Sequence, residues 1–266
     1  MAMDPGINDK VAVVTGGTSG IGLEAVRLFL ACGARVAFCG RDERKLQLAA
    51  ERLALDYPPS RYLAVPCDVL SEPQVQRFAE EVESAFGGVD MLVNNAGRGR
   101  QSTFADTTDD DWREELELKF FSVIRPTRAF LPALKRSPCA SIVCVNSLLA
   151  VQPEPHMVAT SAARAGVLNL ARSLATEFAP FGIRVNSILL GTVNSGQWEA
   201  RYRKQAPAGV SFEDWLGQLA AEKRIPLGRF GAAIEPARAI VYLASPLSSY
   251  TTGASLDVSG GMARHI

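Results

Sequence analysis

The sequence predicts an α/β protein, a doubly wound parallel sheet in a single domain over residues 1–266. Three observations carry this. Seven short apolar runs recur along the chain with helical periods between them. The runs are mostly continuous rather than alternating, as in strands buried on both faces of a parallel sheet. The 266 residues, 47% hydrophobic and 21% charged, suit one large core, with no repeat or internal boundary.

Each element follows in order. Val11–Thr15 is the first strand, and Ile21, Ala25, Leu28 and Phe29 behind it share one helical face. Arg35–Cys39 is the second strand and Tyr62–Val65 the third, followed by a helical stripe of Val75, Phe78, Ala79 and Val82. Met91–Asn94, Ser141–Asn146, Val185–Leu190 and Ser255–Val258 complete the set. One stretch, residues 192–228, has no strand and carries Trp198, Tyr202, Phe212 and Trp215. It reads either as a surface helix pair or as a lid over a substrate pocket. The lid is preferred, because ligands of such sheets sit beyond the strands' carboxyl ends, where this insertion emerges.

Lys plus Arg and Asp plus Glu each number 28, so no net charge draws the chain to nucleic acid or anionic lipid. The five cysteines, at 32, 39, 67, 139 and 144, offer no CxxC pair and no metal-ligand spacing, which predicts buried reduced thiols and no metal. Residues 1–9 hold no charged segment leading into an apolar one, and no window approaches 18 apolar residues. A cytoplasmic location and no membrane partner are expected.

Thr15-Gly-Gly-Thr-Ser-Gly-Ile-Gly22 closes the first strand and opens the first helix. Glycines there let the backbone turn tightly against a pyrophosphate resting on the helix N-terminus. This turn, with Asn94-Asn-Ala-Gly97, Cys67-Asp68-Val69, Asn146-Ser147, Arg184-Val-Asn186, Pro226-Leu-Gly-Arg-Phe-Gly231, Tyr250-Thr-Thr-Gly253 and Ser259-Gly-Gly261, resembles the short-chain dehydrogenase/reductase family. The resemblance runs nearly the full chain, in order. It implies a Rossmann-type domain with seven strands and a homotetramer or homodimer. Dinucleotide contacts would come from Gly16, Thr18, Ser19, Gly20, Ile21 and Gly22. Asp68 and Val69 would hold the adenine, with Asn95, Ala96 and Gly97 at the adenosine ribose. Gly191, Val193 and Ser195 would lie toward the nicotinamide.

Phe38-Cys39-Gly40-Arg41-Asp42 ends the second strand. Gly40 stands where relatives using NAD carry Asp, and Arg41 is a guanidinium fork suited to a 2′-phosphate. NADP(H) is the expected cofactor, with Asp42 capping the next helix.

The catalytic pattern of the family departs here. Ser147 stands at the serine's place, but thirteen residues on is Thr160 rather than Tyr, and four beyond is Arg164 rather than Lys. The fourth-helix Asn is replaced by Lys119. Thr160 is a hydrogen-bond partner and not an acid, and Arg164 keeps only a donor role toward the nicotinamide ribose. Lys119, flanked by Leu118 and Phe120-Phe121, is read as buried near the site rather than exposed. His156, one of two histidines with His265, lies in a loop that lines the family's substrate pocket. It is expected to donate the proton, with Lys119 second. Glu154 is either its orienting partner or a solvated carboxylate. The leading expectation is an NADP(H)-dependent oxidoreductase of the 3-oxoacyl-reductase type, acting on a small-molecule carbonyl or alcohol. An NADP(H)-binding protein without catalysis, acting as sensor or partner subunit, and a reductase of conjugated C=C bonds are the alternatives.

Overall fold

The computed structural model describes residues 4–207 and 209–264, so His265 lies outside it. Strands β1 (Val11–Thr15), β2 (Arg35–Gly40), β3 (Tyr62–Pro66), β4 (Met91–Asn94), β5 (Ser141–Ser147), β6 (Arg184–Leu190) and β7 (Ser255–Val258) form one parallel sheet. The order is β3-β2-β1-β4-β5-β6-β7. The chain reverses direction across the sheet between β1 and β4, the crevice where such folds bind ligands.

The helices are α1 (Gly20–Ala31), α2 (Glu43–Leu53), α3 (Glu72–Phe86), α4 (Asp109–Leu134), α5 (Val158–Phe178), α6 (Gly196–Gln205), α7 (Phe212–Glu222) and α8 (Ile234–Ala244). One face of the sheet packs on α3, α4 and α5 through Phe78, Phe130, Leu134, Val167 and Phe178. The other packs on α1, α2 and α8 through Phe29, Leu46, Leu53, Ile240 and Leu243. The long α4 starts from a capping box in which Thr108 and Asp111 satisfy each other's backbone N–H groups.

Two departures from the sequence reading are physical. In β7 only Val258 is even half-buried, because this strand forms the edge of the sheet and has one neighbour. Of the cysteines, all free, Cys32 and Cys139 are half-buried rather than buried, Cys32 because it caps α1 where the helix reaches the surface. Residues 192–228 fold as α6 and α7 around their own aromatic cluster, with Trp198 4.8 Å from Phe230 and Tyr202 5.2 Å from Phe212. No described helix is long and apolar enough to cross a membrane.

Candidate active site

The turn after β1 is tied to the end of β4. Thr15 Oγ1 accepts the N–H groups of Asn95 and Ala96, both at 3.0 Å. Asn95 Nδ2 donates to the carbonyls of Thr15 and Gly16 at 3.0 and 3.1 Å. Gly22 packs under this turn, where a Cβ would stand 2.2 Å from Gly16 O and 2.5 Å from Asn95 Nδ2. Ser19 begins α1 with no side-chain cap bond, and the first turn has no acidic residue. The four N–H groups that open the helix, from Ser19 to Gly22, are therefore left for an anion. A Cβ on Gly20 would lie 3.9 Å from Ser195 Cβ, so the start of α6 faces the turn from across the crevice.

At the crevice's other end, Gly40 lies under Thr18, whose Cγ2 would be 2.5 Å from a Cβ there. Arg41 follows it, exposed. Asp42 caps α2 by accepting Lys45 N at 3.1 Å, as expected. Asp68 accepts Leu70 N at 2.9 Å while Val69 is buried.

The segment after β4 links this crevice to Arg164, Lys119 and Thr160 in order. Asn95 knits the glycine turn, as above. Gly97 faces Arg164, whose Nη2 would be 3.7 Å from a Cβ at that position. Arg98 O accepts Lys119 Nζ at 2.7 Å. Arg100 meets Thr160 with its backbone: its N–H donates to Oγ1 at 3.3 Å, and its carbonyl oxygen lies 3.2 Å from the same hydroxyl, whose one proton goes to Glu115.

Lys119 is buried, which resolves that alternative, and it bonds Glu115 Oε1 at 2.5 Å. Thr160 Oγ1 donates to the same oxygen. Burial, then the nearby Arg164 cation, lowers the Lys119 ammonium to about 8, against the opposing pull of Glu115. Arg164 donates to Val145 O at 2.8 Å and burial brings it to about 10, so it stays charged at neutrality. Its Nε is buried without a partner among the described residues, an unmet donor beside the crevice.

The hydroxyl of Ser147, at the carboxyl end of β5, makes a long bond to Leu190 O at 3.4 Å and accepts Leu149 N at 3.3 Å. Gly191 packs tightly on Ser259, where a Cβ would meet Cα at 2.7 Å, and Val193 is buried. Among the described residues no cluster of three or more His, Cys, Asp or Glu is placed to hold a metal.

His156 is not brought into the buried group. Its Nε2 lies 3.0 Å from Glu154 Oε2, and its side chain is 54% exposed. Its carbonyl accepts Ser102 N at 2.9 Å from the loop that follows β4. Glu115, which the sequence reading did not single out, is brought into the buried group by its bonds to Lys119 and Thr160. Its signal was the Glu-to-Lys spacing of four on an apolar-flanked helix, which puts both on one face.

A family model described as enoyl-(acyl carrier protein) reductase matches residues 16–263. A short chain oxidoreductase from Pseudomonas aeruginosa PAO1, described as containing an atypical catalytic center, is 60% identical. Its apo structure superposes with TM-score 0.94 over 97% of this chain and 98% of that one. Its NADPH-bound structure gives 0.93 over 98% and 99%. L-Sorbose reductase from Gluconobacter frateurii, complexed with NADPH and L-sorbose, is 33% identical with TM-score 0.93 over 99% and 100%. The 3-oxoacyl-[acyl-carrier-protein] reductase of Salmonella typhimurium is 32% identical, covering 95% of this chain and 97% of that protein.

Proposed function

The chain belongs to the short-chain dehydrogenase/reductase family, and from that premise we propose that it is an NADP(H)-dependent oxidoreductase of the 3-oxoacyl-reductase type with Lys119 as its proton donor. The observation that carries this is the buried Lys119–Glu115–Thr160 group, joined by residues 95–100 to the glycine turn. NADP(H) supplies or takes the hydride. Thr18 to Gly22 hold its pyrophosphate, Arg41 its 2′-phosphate, Asp68 and Val69 its adenine, and Arg164 Nε its nicotinamide ribose. Ser147 turns its weakly held hydroxyl to the substrate oxygen, and Lys119 supplies the proton that this oxygen needs as hydride arrives.

Single-turnover oxidation of bound NADPH against ketones, 3-oxoacyl thioesters and enones tests the reading. Turnover with a ketone or 3-oxoacyl thioester is expected; turnover with enones alone overturns it in favour of C=C reduction. Arg41→Ala should weaken NADPH by roughly the 1.5–3 kcal/mol of a charge-assisted contact while leaving NADH affinity unchanged. Equal affinities of the native chain for the two cofactors would refute the 2′-phosphate assignment.

Residues 192–228 belong to the same proposal as a lid. The support is the separate aromatic cluster and the approach of Ser195 to Gly20. Amide exchange in α6 and α7 is expected to slow when NADPH is added, and unchanged exchange would leave them a packed helix pair. A cytoplasmic homotetramer is also proposed, supported by the fully exposed Tyr250 and by Leu256 on the β7 edge; sedimentation checks the assembly.

A further inference from the structure

Glu115 is 3% exposed, deep between α4 and α5, where a carboxylate is rarely found without a task or a partner. It has two partners on one atom. Oε1 takes Lys119 Nζ from its own helix and Thr160 Oγ1 from α5. The other charges around Lys119 are cations, Arg164 on α5 and Arg98 after β4. Glu115 is thus the anion that compensates two buried cations, and the group that fixes Thr160 beside them.

We propose that Glu115 is a positioning residue for proton transfer, whose Oε1 holds the Lys119 ammonium charged and aimed while anchoring the Thr160 hydroxyl. This rests on the reading of Lys119 as proton donor. In reduction, hydride enters the carbonyl carbon from NADPH, and the C=O π pair moves to oxygen. That oxygen takes one proton from Lys119, and neutral Lys119 regains a proton from solvent. Glu115 neither gains nor loses one; Lys119 Nζ has a third N–H beyond its bonds to Glu115 and Arg98 O. Without the carboxylate, a smaller share of Lys119 would carry its proton at and above neutrality.

The chain has six lysines, so 13C-lysine labelling resolves the Lys119 ε-carbon, assigned by its disappearance in Lys119→Met. Titrated in the NADPH-loaded protein, native Lys119 is expected to change charge at about 8. In Glu115→Gln the midpoint should fall by about one pH unit or more, a tenfold or greater fall in the ammonium-to-amine ratio at fixed pH. Glu115→Asp, a carboxylate drawn back by one methylene, should fall between the two and restore part of the rate. The alkaline limb of NADPH-dependent reduction should move down in the same order, with KM for NADPH unchanged. An unmoved Lys119 midpoint in Glu115→Gln overturns the inference, leaving a structural role only. Should the Gln variant not fold, an unmoved midpoint in Glu115→Asp does the same. The midpoint is read without turnover, so it is independent of the donor assignment, which fails separately if Lys119→Met reduces at the native rate.

Discussion

Lys119→Met is expected to slow carbonyl reduction by roughly 10²–10⁴-fold, the range of a lost general acid. Thr160 holds no proton that leaves easily and Arg164 does not give its own up, so nothing else in the buried group replaces it. The pH dependence has a definite sign. Reduction needs the ammonium form, so the native rate should hold below about 8 and fall as pH rises through that value. Oxidation of an alcohol needs the neutral amine and should rise over the same interval. His156→Ala, altering a half-exposed ring paired with Glu154, should leave both the rate and the limb in place. A native rate in Lys119→Met, with loss in His156→Ala, would return the role to the histidine. Decay of NADPH absorbance in single turnover measures all of these.

Gly22→Ala is the second large effect. The added methyl would stand 2.2 Å from Gly16 O and 2.5 Å from Asn95 Nδ2, so the glycine turn must move bodily. That movement breaks the Asn95 bonds and takes the α1 N–H groups off the pyrophosphate position. The expected cost is at or above the upper end of the 1–3 kcal/mol typical of overpacking, with NADPH binding lost. Gly217 in α7 is the control, exposed and with nothing within 4 Å of a built Cβ. Gly217→Ala should stabilise by about 0.5–1 kcal/mol through helix propensity alone. Thermal melts with and without NADPH separate the two, and native-like binding by Gly22→Ala would contradict the packing described.

The sheet was legible because parallel strands are written as continuous apolar runs, and every run became a strand within a residue at either end. The exposure of β7 was not, since a run says nothing of whether its strand has neighbours on both sides. The glycine turn was legible from its spacing, and Asp42 from its place before α2. Lys119 was half legible, its flanks pointing inward without naming a partner. Glu115 acquires meaning only when α5 is laid on α4 and Thr160 meets its Oε1. The direction of His156 was not legible, because nearness along the chain to Thr160 does not set it; the ring turns to Glu154 and solvent.

The buried Lys119–Glu115 pair sets durability against chemistry. Desolvating two charges is expensive, and replacing such a pair by apolar side chains of similar volume is often neutral or stabilising. Because burial holds the folded-state ammonium at about 8 against 10.5 when free, the unfolded chain binds this proton more readily between those values. The penalty from Lys119 is fully present below about 8 and fades as the medium becomes more alkaline. A search for thermally hardened variants would therefore be drawn to these two positions and would return inactive proteins, whereas a search that reads hydride transfer would retain both.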